Sequence, residues 1–140
     1  VFSIVPVQGL NKSNLHTMKV TRFEELDCWK AARELVKKVY EVSQEGKLAR
    51  DWDARSQFRR AAVSVMNNIA EGFARYHDKQ FIFFLDVSQS SAAEVKSMLY
   101  LLEDLQYLEK DTIQDLHAKV DKARNLTLGL IRYLDKKNKK

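Results

Sequence analysis

The chain has 140 residues, 45% of them hydrophobic and 31% charged, and a formal net charge of +5 with a pI near 9.3. This length supports one domain with a real core, and the balance is that of an ordinary globular protein. Four Gly and one Pro leave too few turn residues for a sandwich or barrel and favour a few long helices, and no apolar run reaches the roughly 18 residues of a membrane span.

In chain order, the opening VFSIVPVQGL is apolar but is interrupted by Pro6, Gln8 and Gly9 and lacks a basic region ahead of it, so it makes a poor signal peptide. Residues 1–17 show no helical period. They read as a leader appended ahead of the domain or carried over from upstream translation, expected to be disordered; the rival reading is an arm that packs on a partner. Patterning starts at Met18. From Thr21 or Asp27 to Gln44, Phe23, Leu26, Trp29, Ala32, Val36, Val39 and Ser43 recur at steps of three and four, the mark of one helix face. Thr21-x-x-Glu24 has the form of a capping box, and Gly46 closes the segment.

The second helix is predicted from about Asp53 to Arg75, with Phe58, Ala62, Val65, Ile69 and Phe73 as its apolar stripe. The third starts with Asp78 as N-cap and runs to about Leu108 through Phe81, Phe84/Leu85, Ser88, Ala92, Val95, Met98/Leu99, Leu102 and Leu105. The fourth starts at Asp111, with Gln114 in capping-box position, and carries Ile113, Leu116, Val120, Ala123, Thr127, Leu130 and Leu134. Links near 45–52, 76–77 and 109–110 are short and force neighbouring helices to run antiparallel. The expected fold is all-α, an antiparallel up-down-up-down four-helix bundle over residues 18–135, followed by a basic tail at 136–140 that is too polar to pack. Val63, Met66, Ile82, Phe83, Leu126, Leu128 and Tyr133 fall outside the stripes. A second apolar face of this kind calls for another surface to cover it, and homo-oligomerisation is the simplest source.

FRRAAVSVMNNIAEGFAR, residues 58–75, is unusual for a core helix because it places Asn and Gly inside the run. On a helix, Arg60, Ser64, Asn67, Asn68, Glu71 and Arg75 fall along one side, with Glu71 and Arg75 at the i,i+4 spacing of an ion pair. Gly72 and Ala61 would let another helix approach closely. The stripe of Ser64, Asn67, Asn68 and Glu71 fits a hydrogen-bond network that fixes helix register, or simply a solvated face. Its functional reading is a polar site at a subunit boundary, with Arg55, Arg59 and Arg60 presented to phosphates.

RFEELDCWKAARELVKKVY, SQFRRAAVSVMNNIAEGFAR and DKQFIFFLDVSQSSAAEV resemble the four-helix-bundle family encoded in intervening sequences of bacterial 23S rRNA genes. The resemblance covers about residues 22–135. Its most specific block is RRAAVS-x-x-x-NIAEG, Arg59 to Gly72, with a looser anchor between Phe81 and Glu94. Members of that family resemble the accessory variability protein of diversity-generating retroelements. The resemblance implies an up-down bundle assembled as a ring-shaped homopentamer, with nucleic acid or a reverse transcriptase as partner and no known reaction. Many members place Ile-Pro near Val65-Met66; this chain lacks that Pro, which predicts a straighter second helix.

Catalytic chemistry has little support. His16, His77, His117 and Cys28 have no metal-ligand spacing, and no Glu-x-x-His pair, phosphate-binding Gly loop or G-x-S-x-G is present. Cys28 reads as a packed thiol and, as the chain's single cysteine, fits a reducing cytoplasm. No cofactor, metal or membrane partner is expected. Lys30, Arg33, Lys37 and Lys38 follow the outer side of the first helix, and Lys119, Lys122, Arg124 and Arg132 the last, diluted by Glu34, Glu41 and Asp121. A symmetric oligomer would multiply such a patch. Without aromatic-basic interleaving, contact would be to RNA or DNA backbone. The expected phosphate contacts are Arg55, Arg59, Arg60, Lys37, Lys38 and Arg75, in a non-enzymatic homo-oligomer. The alternative is an adaptor that docks another protein, such as a reverse transcriptase or a ribosome-associated partner.

Overall fold

The structure, a computed structural model, describes residues 20–139; the reading of residues 1–17 lies outside them. A 3-10 turn at Phe23–Glu25 leads into five helices: α1 Asp27–Val42, α2 Gly46–Arg50, α3 Trp52–Phe73, α4 Asp78–Asp104 and α5 Lys110–Lys137. There is no strand among the described residues. The four long helices share one core. α1 packs on α3 and α5, and α4 packs on α3 and α5.

The apolar stripes explain this packing. Phe58, Ala62, Val65 and Ile69 of α3 are buried, as are Phe81, Leu85, Ala92, Val95 and Leu99 of α4 and Ile113, Leu116, Val120, Ala123, Leu130 and Leu134 of α5. Ser88 and Thr127 are buried within the same stripes, and each bonds a carbonyl: Ser88 Oγ donates to Val65 O at 2.8 Å and Thr127 Oγ1 to Ala123 O at 2.7 Å. A buried hydroxyl without such a partner would cost about 1–3 kcal/mol. On α1, Cys28, Ala31 and Leu35 join the core although the repeat of three and four had passed them over.

Helix ends depart from the expected caps. Thr21 donates from N and Oγ1 to Glu25 at 3.5 and 3.2 Å instead of pairing with Glu24, because a 3-10 turn separates it from α1. α1 stops at Val42, before Gln44: Ser43 Oγ folds back on Val39 O at 2.7 Å, and Gly46, at φ +70°, opens α2 rather than closing α1. α2 fills most of what was read as a plain link, and Asp51 then caps α3 by accepting from Ala54 N at 3.1 Å. His77, not Asp78, is the N-cap of α4, and Glu109, not Asp111, that of α5. α4 ends at Asp104, short of Leu108, where Gln106 takes φ 57° and Tyr107 N bonds Leu102 O at 3.0 Å. Leu105, past that end, is 41% exposed rather than core. α5 runs two residues into the segment read as a tail, and Lys137 and Asn138 both reach Asp78, at 3.3 Å each.

Gly72 marks the closest helix approach. A Cβ there would stand 2.8 Å from Phe81 Cδ1 and 2.8 Å from Phe84 Cβ, so α4 occupies the space that a side chain would need. Further along the same seam, Ser88 meets Val65 and Ser64 Oγ lies 2.7 Å from Ser91 Oγ. Between α4 and α5, Gln89 donates to Arg124 O at 3.1 Å, Lys96 pairs with Asp121 at 2.6 Å, and Tyr100 stacks near His117 at 4.9 Å between ring centroids. These contacts set the height of each helix against its neighbour.

Candidate nucleic-acid interface

The residues read as phosphate contacts divide between two ends of the bundle. Arg55 and Arg59 rise from the first turns of α3 against α2 and the end of α1. Arg55 Nη1 donates to Ala49 O at 2.9 Å and so ties α2 to α3. Arg59 Nε donates to the buried Ser43 Oγ at 2.7 Å, and its guanidinium lies 4.4 Å from the centroid of the Tyr40 ring. Both are half-buried, so their positions are held by protein contacts before any ligand arrives. Lys37 is exposed one turn before Tyr40; Lys38 is half-buried. Arg60 is exposed on the outer side of α3. Arg75 is not part of this group: α3 ends at Phe73, about 20 Å along the axis from Arg59 at 1.5 Å per residue.

Ending the helix at Phe73 also removes the expected Glu71–Arg75 pair. Arg75 instead sits over the Phe84 ring at 4.5 Å, and Glu71 is exposed. The polar stripe of α3 therefore splits. Ser64 and Asn68 turn towards α4: Asn68 Nδ2 donates to Ser64 O at 2.8 Å and Ser64 Oγ at 3.0 Å, and Ser64 meets Ser91. Asn67 and Glu71 face outward.

The structure adds a feature that the linear sequence was read as lacking, basic residues laid on aromatic rings. Lys30, Arg33 and Lys37 follow one another at steps of three and four and are all exposed. Arg33 lies over Trp29 at 5.6 Å, one turn away, and Arg59 lies over Tyr40, so aromatics support guanidinium groups at two points along one ridge. The i,i+4 spacing of Trp29 and Arg33 could have shown the first pair; the second joins residues 19 positions apart and is purely tertiary. Glu34 and Glu41 follow Lys30 and Lys37 by four residues and weaken the field on the outer side of α1. The helical period of α1 puts Glu34 and Glu41 on the side of Lys30 and Lys37 away from Arg33 and Tyr40.

Other titratable groups serve packing. Burial pushes the Cys28 thiol up from 9.0 to about 12, opposed by the Thr127 side chain beside it, so it is a neutral core group at ordinary pH. The Tyr107 hydroxyl donates to Asp51 Oδ2 at 3.0 Å, and that bond raises its pKa while joining the end of α4 to the start of α3. Among the described residues no group of three or more His, Cys, Asp or Glu is placed to hold a metal ion, and no helix is long and apolar enough to cross a membrane.

Four long helices around one core, with a cationic ridge on the α1–α3 side, define an all-helical bundle protein with a basic face. The chain belongs to the family of 23S rRNA-intervening sequence proteins, whose model matches residues 24–129. A crystal structure from Bacteroides thetaiotaomicron VPI-5482, of a protein with unknown function from the S23 ribosomal protein family, has a similar fold. It superposes with a TM-score of 0.68 at 18% identity, covering 74% of this chain and 97% of that one. No curated protein matches the chain.

Proposed function

We propose that this protein is a non-enzymatic, cytoplasmic homo-oligomer of antiparallel up-down-up-down bundles, arranged as a ring, that holds RNA or DNA by its phosphate backbone. The observation that carries the reading is the α1–α3 ridge. Lys30, Arg33 and Lys37 stand exposed in line, and Arg59 extends the line from α3 with its guanidinium held on Tyr40. Exposed cations fixed by packing suit phosphates, whose contacts position a ligand without reading its sequence. Arg55 flanks the ridge, while Lys38, about 100° round α1 from Lys37, and Arg60 and Arg75 would reach only a ligand that extends beyond it. The antiparallel arrangement is supported by contacts that run in opposite chain order, Gly72 with Phe81 and Ser64 with Ser91, then Gln89 with Arg124 and Lys96 with Asp121. A pentamer, and kinship with the accessory variability proteins of retroelements, rest on the resemblance of the Arg59–Gly72 block. In a ring the ridge is repeated, so weak contacts on each copy add by avidity.

The test is binding of structured RNA, single-stranded RNA and duplex DNA across a salt series. Affinity is expected to fall steeply with salt and vary little with sequence. Arg33→Gln with Lys37→Gln removes two ridge cations that make no hydrogen bond among the described residues. On duplex DNA this should reduce the slope of log K against log salt by about 1.8 for each copy in contact with the DNA, at about 0.9 per contact. Arg55 and Arg59 are poorer probes, since each also ties elements of the fold together. No binding to any of the three at low salt would reject the reading and leave the protein adaptor.

A further inference from the structure

Among the described residues seven large hydrophobic side chains are exposed, and four of them lie on α4 or at its end: Phe83, Tyr100, Leu101 and Leu105. α4 therefore has an outer face that its own bundle does not cover. Between Phe83 and Leu101 that face is built of small side chains, chiefly Ser90, Ala93 and Ser97, all exposed. Its charges there are acidic, Asp86 and Glu94, while Lys96 turns aside to Asp121.

The outer face of α5 is its complement. Ala118, Lys122, Asn125, Gly129 and Arg132 follow one another at steps of three and four, all exposed. The charges are basic and the other residues small, and the space beside Gly129 is open. Asp86, Glu94, Lys122 and Arg132 have no ion-pair partner among the described residues. We infer that these two faces bind each other head to tail: the outer face of α4 on one copy seats on the outer face of α5 on the next. This rests on the homo-oligomer proposed above and supplies its interface.

Two further observations support a second copy as the occupant. In a cyclic ring every copy stands at the same height, so the pairing across the seam can be read from heights within one chain. Those are set by Asp78 with Asn138, Gln89 with Arg124, Lys96 with Asp121 and Tyr100 with His117. On that scale Glu94 stands level with Lys122, and Asp86 lies within a turn of Arg132. Ser90 falls between Asn125 and Gly129, and Ser97 falls beside Ala118. Acid meets base and small meets small. The match ends before Asp104, where Asp111 stands at the same height. The second observation is the position of the two helices. α4 touches α3 and α5, and α5 touches α4 and α1, so they occupy adjacent corners of the bundle. Their outward directions therefore diverge instead of opposing, and a contact repeated with a turn closes into a ring rather than an open filament. An isologous contact of two α4 faces would instead set acid against acid.

Ser97→Arg places a long charged side chain in the middle of the seam at an exposed position. With the circular dichroism of the parent, it should sediment as one 16.3 kDa chain at concentrations where the parent is oligomeric. Two charge-reversed variants test the pairing, D86K/E94K on α4 and K122E/R132E on α5. Each alone should lose the oligomer, and one chain carrying all four changes should recover it, because every contact then joins opposite charges in a ring of any number of copies. An oligomeric parent whose size is unchanged in Ser97→Arg and in both reversed variants would overturn this seam while leaving the oligomer intact through another face. Dissociation of the reversed variants without recovery in the chain that combines them would overturn the head-to-tail pairing. A monomeric parent would reject the oligomer itself.

Discussion

The two sides of α4 invert the usual rule of burial. On the side facing α3, polar atoms are packed inside: Ser88 is 1% exposed and bonded to Val65 O, and Ser91 meets Ser64. On the opposite side Phe83 is 61% exposed and Tyr100 59%. The inner serines are tolerated because each hydroxyl has a partner and because small side chains let the helices approach, as Gly72 does. Phe83 and Tyr100 each meet one ring, that of Phe84 and that of His117, yet stay more than half exposed among the described residues, which is the mark of a surface made for something else. The comparison separates what builds the bundle from what the bundle presents.

The largest effect should come from the inner side. Phe81 is fully buried, stacks edge-on to Phe73 at 6.0 Å and limits the space at Gly72. Phe81→Ala should lower unfolding free energy by about 3–5 kcal/mol in denaturant titration. Measured in the single-chain Ser97→Arg background, where no second copy covers it, an equal change at Phe83, two residues on and exposed, should cost less than about 1 kcal/mol. If the two costs were alike, the division between sides would be wrong.

Gly72→Val should cost somewhat less than Phe81→Ala, about 2–3 kcal/mol, since the new side chain meets Phe84 Cβ and the Phe81 backbone carbonyl rather than a flexible tip. Combining it with Phe81→Ala should give a loss smaller than the sum, because the cavity of one admits the bulk of the other. Strict additivity would mean that the close approach at Gly72 does not depend on the Phe81 ring.

The smallest effect at neutral pH concerns Cys28. Its folded pKa of about 12 lies above the ordinary 9.0, so its contribution is complete below pH 9 and is lost as pH rises towards 12. Across that window the unfolded chain holds fewer protons, and unfolding free energy should fall by roughly 1 kcal/mol per pH unit. Cys28→Ala should lack this part of the slope between about pH 9 and about pH 11. The thiol of the folded protein should resist alkylation near neutrality.

The stripes of α3, α4 and α5 were legible because period and burial coincide; even Ser88 and Thr127, which composition alone would place outside, were picked up by their spacing. α2 was not legible, since five residues are too few to show a period, and the caps at His77 and Glu109 carry no side-chain bond that a capping motif could have announced. Of the proposed contacts, periodicity placed Lys37 and Arg60 on outer faces. It could not show that Arg55 is held by Ala49, or Arg59 by Ser43 and Tyr40, because those contacts form only when α2 and the end of α1 fold against α3. Tyr100 and Leu101 were passed over: the stripe was drawn through Met98, Leu99 and Leu102, and neither was singled out among the apolar residues that fall outside it, although both are exposed.

Sedimentation equilibrium of the intact chain at micromolar concentration tests the central claim most directly. The uncovered face of α4 predicts a mass several times 16.3 kDa, held constant over a range of loading concentrations as a closed ring requires. A mass of one chain throughout that range would contradict it.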